Sequence, residues 1–317
     1  MPAITVIMPV YNTQQHLNWS IHSLMKQSFA DFELLLVNDG STDYSMLYCN
    51  ALAKQDSRIR VLDLPHGGIA AARIAGLREA RGDYVGFMDS DDLVEKEYLL
   101  HLYQAIRAED ADISMCQYVC DYADRSVVHS FPSGAYRGDG LQELILSGVF
   151  CRDDRSRGTL PLFLWNKLFR RALLMDNINY LDRRVAIGED TLLFLAALLS
   201  CKCFTVIGDC DYHYCMRENA TTRKKRAVDF DGMLLFRSLE KEILEQKGFA
   251  VLTDKVDAVT VHQLARIIKR RDKAEIPPLP EELKELIKTQ AATDGSEQWR
   301  ETVKTVTDYY LSEEENK

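Results

Sequence analysis

Three features that would each assign a class are missing from the 317-residue sequence. There is no long hydrophobic stretch: the longest apolar run, Leu192 to Leu199, falls far short of the ~20 residues needed to span a bilayer. There is no surplus of positive charge. With 39 Lys and Arg against 48 Asp and Glu, the net charge is -9, which argues against a general nucleic-acid binder, because phosphate backbones recruit cations. The eight cysteines also lack the paired Cys-x-x-Cys spacing of structural zinc sites. Cys201, Cys203, Cys210 and Cys215 gather around His213, yet three of them alternate with apolar residues as strand residues do. Reduced, packed thiols are therefore expected. Low-complexity tracts and internal repeats are absent too, which excludes a disordered or solenoid chain. The opening Met-Pro-Ala-Ile-Thr-Val-Ile has no basic region ahead of its apolar residues and reads as a strand rather than a secretory leader. These observations predict a cytoplasmic protein that touches a membrane only peripherally.

What is present is an ordered alternation. Ile4 to Val10, Glu33 to Asn38, Ile59 to Leu64, Tyr84 to Met88 and Asp112 to Val119 are strand-like runs bounded by Gly, Asp, Asn or Pro. Between them Leu17, Ile21, Leu24 and Met25, and then Ala70, Ala71, Ile74, Leu77 and Ala80, recur at helical spacing. Such alternation predicts an α/β fold with a mostly parallel sheet. Residues 116–220 are less regular, with turns at Pro132-Ser133-Gly134 and Arg137-Gly138-Asp139-Gly140 and an Arg/Asp-rich loop near 151–158. Helical patterns follow over Asp229 to Lys247, Asp254 to Arg271 and Glu281 to Gln290, after which an acidic tail is expected. Three parts result: 1–115, 116–220 and a helical extension, 221–317.

Charge is distributed unevenly among them. Residues 1–115 carry a net -7, residues 221–273 a net +5 and residues 274–317 a net -6. The basic runs Arg223-Lys224-Lys225-Arg226 and Lys269-Arg270-Arg271 read either as solvated helix faces or as a surface for anionic lipid.

In an open α/β sheet, ligands bind beyond the carboxyl ends of the strands. Three polar clusters fall there: Pro9-Val10-Tyr11-Asn12, Asn38-Asp39-Gly40-Ser41-Thr42-Asp43, and Asp89-Ser90-Asp91-Asp92. Three carboxylates within four residues repel one another unless a cation sits among them, and hard oxygen ligands suit Mg2+ or Mn2+. Asp92 alone also reads as the cap of a helix starting near Val94.

These clusters, with Gly67-Gly68 before Ala71-Ala72-Arg73 and with Gly82-Asp83-Tyr84, closely resemble the motifs of the family 2 inverting glycosyltransferases. Trp165-Asn166-Lys167-Leu168-Phe169, Gly188-Glu189-Asp190 and Tyr212-His213-Tyr214 resemble second-half motifs of the bacterial cell-surface polysaccharide enzymes in that family. The resemblance covers roughly residues 3–222. It implies a GT-A fold, with 1–115 binding a nucleotide sugar and 116–220 the acceptor.

Residue roles follow from the resemblance. Pro9 and Tyr11 would line the uracil pocket, Asp39 would accept a hydrogen bond from the base, and Asp89 would hold the ribose region. Asp91 would ligate the divalent ion, and Arg73 would lie near the nucleotide, where a cation suits the diphosphate. Asp190 would be the base that deprotonates the acceptor hydroxyl, beside Glu189 at a helix start near Thr191. Asn166 and Lys167 would shape the acceptor side, while His213 would either reach the metal or diphosphate or be structural between its two tyrosines, with Arg217 a further contact a little beyond it. Ile74 stands where the family often has Asn. The implied reaction is metal-dependent transfer of one sugar, most simply from a UDP-sugar, to a saccharide, lipid-linked saccharide or glycoprotein acceptor. The absence of a Gln-x-x-Arg-Trp motif points to single additions. The alternatives are a catalytically degenerate nucleotide-sugar-binding or scaffold subunit and, through Asp89-x-Asp91, a phosphatase with a nucleophilic Asp.

Overall fold

The computed structural model of the chain describes residues 1–149, 160–185, 187–217, 227–271, 275–293 and 296–314. The loop near 151–158 and the run Arg223 to Arg226 lie outside the described residues. In chain order the elements are β1 (Ile4–Val10), α1 (Leu17–Met25), β2 (Phe32–Asp39), α2 (Ser45–Ala53), β3 (Ile59–Leu64), α3 (Ile69–Glu79), β4 (Tyr84–Phe87), β5 (Leu93–Val94), α4 (Tyr98–Ala108), β6 (Ile113–Asp121), β7 (Ser126–His129), β8 (Gly134–Arg137), α5 (Gly138–Gly148), β9 (Lys167–Arg170), α6 (Arg171–Asn177), α7 (Glu189–Ser200) and β10 (Cys203–Cys215). The helices α8 (Phe230–Gln246), α9 (Thr253–Arg270), α10 (Glu281–Ala291) and α11 (Glu297–Glu314) follow.

The chain forms two compact units: residues 1–142 with 162–222, and residues 143–161 with 223–317. The first unit holds one sheet in the order β3-β2-β1-β4-β9-β6-β10-β5, with β7 added to β6 and β8 to β10. Its first four strands are parallel, as the strand–helix alternation requires. The β1 and β2 runs are almost wholly buried, in keeping with a sheet covered on both faces. Helix α3 lies close on the sheet because Gly76 has no side chain: a Cβ there would sit 2.6 Å from Ile7 Cγ2. Antiparallel β9 joins β4 to β6, and β10 runs parallel to β6 across register shifts between Val206 and Tyr212. Its β1, β2, β4 and β9 thus carry the polar clusters to neighbouring positions.

Two local expectations are corrected. The helix after the acidic loop starts at Tyr98, and Leu93–Val94 instead forms β5, paired antiparallel with Tyr212 and His213. Asp92 is therefore no helix cap. It is fully buried and accepts hydrogen bonds from the Tyr212 hydroxyl (2.7 Å) and the Cys215 N–H (2.9 Å). The expected acidic tail is, through residue 314, the helix α11, in which Trp299, Thr302, Val306 and Tyr309 are buried at helical spacing.

The second unit has its own apolar core, including Phe230, Val261, Leu264, Leu283, Ile287 and Trp299. Several of its basic residues are paired: Arg237 and Lys241 share Asp257 at 2.7 and 2.9 Å, and Lys269 meets Glu301 at 3.2 Å. No helix among the described residues is long and apolar enough to cross a membrane.

Candidate active site

The ends of β1 and β2 are tied by side chains that take the place of a sheet ladder. Asn12, in the left-handed region (φ 51°), accepts through Oδ1 from the Thr42 N–H (2.8 Å), while its own N–H donates to Ser41 Oγ (3.1 Å). Asp39 is buried, and its two carboxylate oxygens accept from the Gly67 and Gly68 N–H groups at 2.8 and 3.0 Å. His66 Nδ1 lies 2.9 Å from Asp39 Oδ2, and the imidazole stacks on Tyr11 with centroids 4.3 Å apart. The backbone passes so close here that a Cβ on Gly40 (φ 67°) would lie 2.6 Å from His66 N. Pro9 is half-buried and Tyr11 exposed at this edge. Pro9, Tyr11 and Asp39 thus lie along one edge, with Asp39 engaged by the glycine-rich segment.

The β4 end is different in kind. Arg73 of α3 is buried and donates to Glu189 Oε1, while its Nη2 lies 3.3 Å from Asp89 Oδ1. Arg73 Nε has no partner. Burial alone would lower the pKa of this guanidinium, but Glu189, Asp190 and Asp89 outweigh it and raise it. The acids are under-compensated. Burial, with Asp190 adding, raises Asp89 despite Arg73, and burial plus Asp89 pushes Asp91 up to about 6. Glu189 is pushed up to about 7 by burial, with Arg73 opposing and Asp190 adding to the rise. Buried Asp92 is held well above the usual carboxylate range by burial and by Asp89 and Asp91.

Glu189 and Asp190 occupy the first turn of α7, which starts after Gly188 (φ 97°), two residues earlier than expected. Asp190 is half-buried, and its Oδ1 accepts from the Thr191 N–H at 2.9 Å. A helix N-terminus favours negative charge, so α7 is a suitable mount for both acids. The structure brings Arg73, Asp89, Glu189 and Asp190 together across 117 residues of sequence, with Asp91 beside Asp89.

The remaining expected residues are placed as follows. Asn166 (φ 57°) is fully buried and donates to Cys116 O at 2.6 Å. Lys167 is fully buried, donates to Asn166 Oδ1 (2.8 Å) and Phe163 O (2.9 Å), and sits 4.6 Å over the Phe194 ring of α7. Burial pulls its pKa down to about 7. Both ring nitrogens of His213 face carboxylates, Asp121 at 2.7 Å and Glu95 at 3.0 Å, so neither points into the acidic cluster unopposed. Arg217 donates to the Asp91 backbone carbonyl, its Nε lies 3.9 Å from Asp91 Oδ2, and its buried Nη1 has no partner.

Sequence reasoning missed Tyr212, whose hydroxyl donates to Asp92 and accepts from the Asp89 N–H (3.3 Å), bracing the acidic loop. It also missed His66 and Arg183, whose Nη2 would be 3.3 Å from a Cβ at Gly67. The only sequence signals are the Tyr-His-Tyr motif for Tyr212 and adjacency to Gly67 for His66; Arg183 has none. Among the described residues no group of three or more His, Cys, Asp and Glu side chains forms a ready-made metal cage. The pair Asp89 and Asp91 still suits Mg2+ or Mn2+, since such ions bind through one or two carboxylates plus substrate phosphate oxygens.

The family model described as glycosyl transferase family 2 matches residues 5–174. The chain is 41% identical over 206 residues to the glycosyltransferase GlyA of Streptococcus pneumoniae serotype 4, a match covering 61% of this chain and 29% of GlyA. It is 29% identical over 222 residues to the uncharacterized glycosyltransferase EpsJ of Bacillus subtilis (strain 168), covering 70% of this chain and 63% of EpsJ. It therefore spans less than two thirds of either relative. The structure of S. aureus TarS 1-349 in complex with UDP-GlcNAc superimposes with a TM-score of 0.62 at 21% identity, covering 100% of this chain and 93% of that one, and so shares its GT-A fold. With over half of its length matched by one family model, the chain belongs to glycosyl transferase family 2.

Proposed function

We propose that the protein transfers a single sugar, with inversion, from a UDP-sugar to a hydroxyl of a saccharide-bearing acceptor in cell-surface glycan synthesis. The observation that carries this reading is the cluster of Asp89, Glu189 and Asp190 on Arg73 at the strand ends, with Asp91 beside Asp89, together with the Tyr11 and Asp39 edge. TarS, of the same fold, has been solved with UDP-GlcNAc, which supports a uridine nucleotide as the donor carrier here. In this reading residues 1–115 bind the nucleotide and 116–220 the acceptor.

Tyr11 offers the base a ring face, and Asp39, held by two backbone N–H groups, keeps the Gly67-Gly68 turn in place. Asp190 accepts the proton of the acceptor hydroxyl as its oxygen bonds to the anomeric carbon and the bond from that carbon to the diphosphate breaks. Arg73 keeps Asp89 and the α7 acids in fixed relation, so the base is aimed before the acceptor arrives. A divalent ion, held by Asp91 and Asp89 when bound, would offset the charge of the departing diphosphate.

A thermal-shift screen of nucleotide sugars with and without Mn2+ tests the donor. UDP-sugars are expected to raise Tm, more with Mn2+ than with chelator. Equal stabilisation by guanosine and uridine nucleotides, or indifference to all of them, would remove the reading.

A further inference from the structure

A groove of about 600 Å3 lies on the first unit between α1 and the segment that follows the acidic loop. It is within the ~300–1,000 Å3 range of small-molecule pockets. Its lining brings Trp19 together with Asn18, His22, Lys26, Glu95 and Lys96. None of these belongs to the acidic cluster or to the Tyr11 and Asp39 edge.

The two walls of the groove are tied to each other. Ser20 Oγ donates to Ser90 O (3.0 Å), Ser23 Oγ accepts from the Val94 N–H (3.3 Å), and Gln27 joins Glu95 O (2.6 Å) to the Leu99 N–H (2.8 Å). Because Ser90 stands between Asp89 and Asp91, the same helix that walls the groove also holds the acidic loop.

The chemistry of the lining is selective. Trp19 is 73% exposed, whereas Trp165 and Trp299 are 4% and 1% exposed. A flat indole edged by hydrogen-bonding side chains fits a sugar ring, which has an apolar C–H face and a rim of hydroxyls. Lys26 and Lys96 are exposed, and neither makes an ion pair among the described residues. The single acid of the lining, Glu95, is turned to His213 (3.0 Å). Two uncommitted ammonium groups thus stand out from a region that carries -7 overall, and they favour an anion.

We propose that this groove is a subsite for an acidic saccharide, one ring stacked on Trp19 and its carboxylate or phosphate held by Lys26 and Lys96. Only the identification of that saccharide as the far part of the acceptor rests on the proposed function; the binding itself does not.

The three tryptophans make the test direct, because Trp19 alone is open to solvent. Intrinsic fluorescence of the full chain is followed without donor during titration with oligogalacturonate, a phosphorylated maltooligosaccharide, neutral maltooligosaccharide, and vesicles of phosphatidylglycerol in phosphatidylcholine. Saturable quenching by an acidic oligosaccharide is expected, with the two acidic arms identifying the anion. Binding should be about tenfold weaker for the neutral chain and for the Lys26→Ala/Lys96→Ala double variant, and lost by calorimetry in Trp19→Ala. Unchanged Tm in these variants confirms that they are folded. Equal affinity for neutral and acidic chains overturns the proposal, as does the absence of saturable binding by any saccharide. Quenching by vesicles alone assigns the patch to a membrane surface and overturns it too. UDP-sugar turnover without saccharide binding sinks the subsite and leaves the proposed function standing; the reverse result does the opposite.

Discussion

The two ends of the site solve opposite problems. At the β1 and β2 ends, Asp39 is satisfied by Gly67, Gly68 and His66, so that edge is complete without a ligand. At the β4 end, buried Arg73 faces Glu189, Asp190 and Asp89, with Asp91 and Asp92 next along the loop, and four of these five acids have raised pKa values. One end is preorganised by hydrogen bonds; the other is held in electrostatic tension that a cation-accompanied diphosphate would relieve.

Asp190→Asn tests the tense end most severely. Transfer should fall by about 10²–10⁴-fold, the usual worth of a general base, while UDP affinity by calorimetry stays within about twofold. Wild-type turnover in this variant would remove Asp190 from its role. Arg73→Ala should be next. It leaves Glu189 buried without its cation and half-buried Asp89 without its neighbour, and removing one partner of a buried pair such as Arg73–Glu189 costs about 3–5 kcal/mol. Urea denaturation reads this, and Arg73→Lys should recover part of it. An unchanged midpoint would mean the cluster is not under tension.

The third prediction concerns pH. An acid whose folded pKa is raised adds stability below its unfolded pKa and loses it as pH rises through the folded value. For Asp91 and Glu189 that window runs from about 4 to about 6 and about 7, respectively. Ligand-free protein should therefore lose Tm over this range, and Asp91→Asn should lose less, the gap opening as pH rises through about 6. A gap that does not change with pH would contradict the raised Asp91 pKa. The smallest effect belongs to the satisfied end: Tyr11→Ala should weaken UDP binding about 3–10-fold, the worth of one aromatic contact, without altering the pH profile.

Much of the fold was legible because it is local. β1 and β3 begin and end where their apolar runs do, and α8, α9 and α10 fall within a residue of their predicted limits. What stayed hidden depends on distant partners. Asp92 looked like a cap because its real partners, Tyr212 and Cys215, lie 120 and 123 residues away. The Arg73–Glu189 pair spans 116 residues, so no local pattern announces that Arg73 faces acids first. In α11 the buried Trp299, Val306 and Tyr309 are diluted among Glu and Lys, and the charge of the segment masked its helical period.

Helix α5 has a consequence for synthesis. Its first residues belong to the sheet-bearing unit and its later ones to the helical unit, where Leu146 O accepts from Lys255 Nζ. That partner is 109 residues further along the chain. As the protein leaves the ribosome, the end of α5, with its apolar Ile145 and Val149, must wait for helices not yet made. A fragment stopped near residue 222 would strand those side chains in water and be prone to association, so the sheet-bearing unit is better made as part of the whole chain than by truncation.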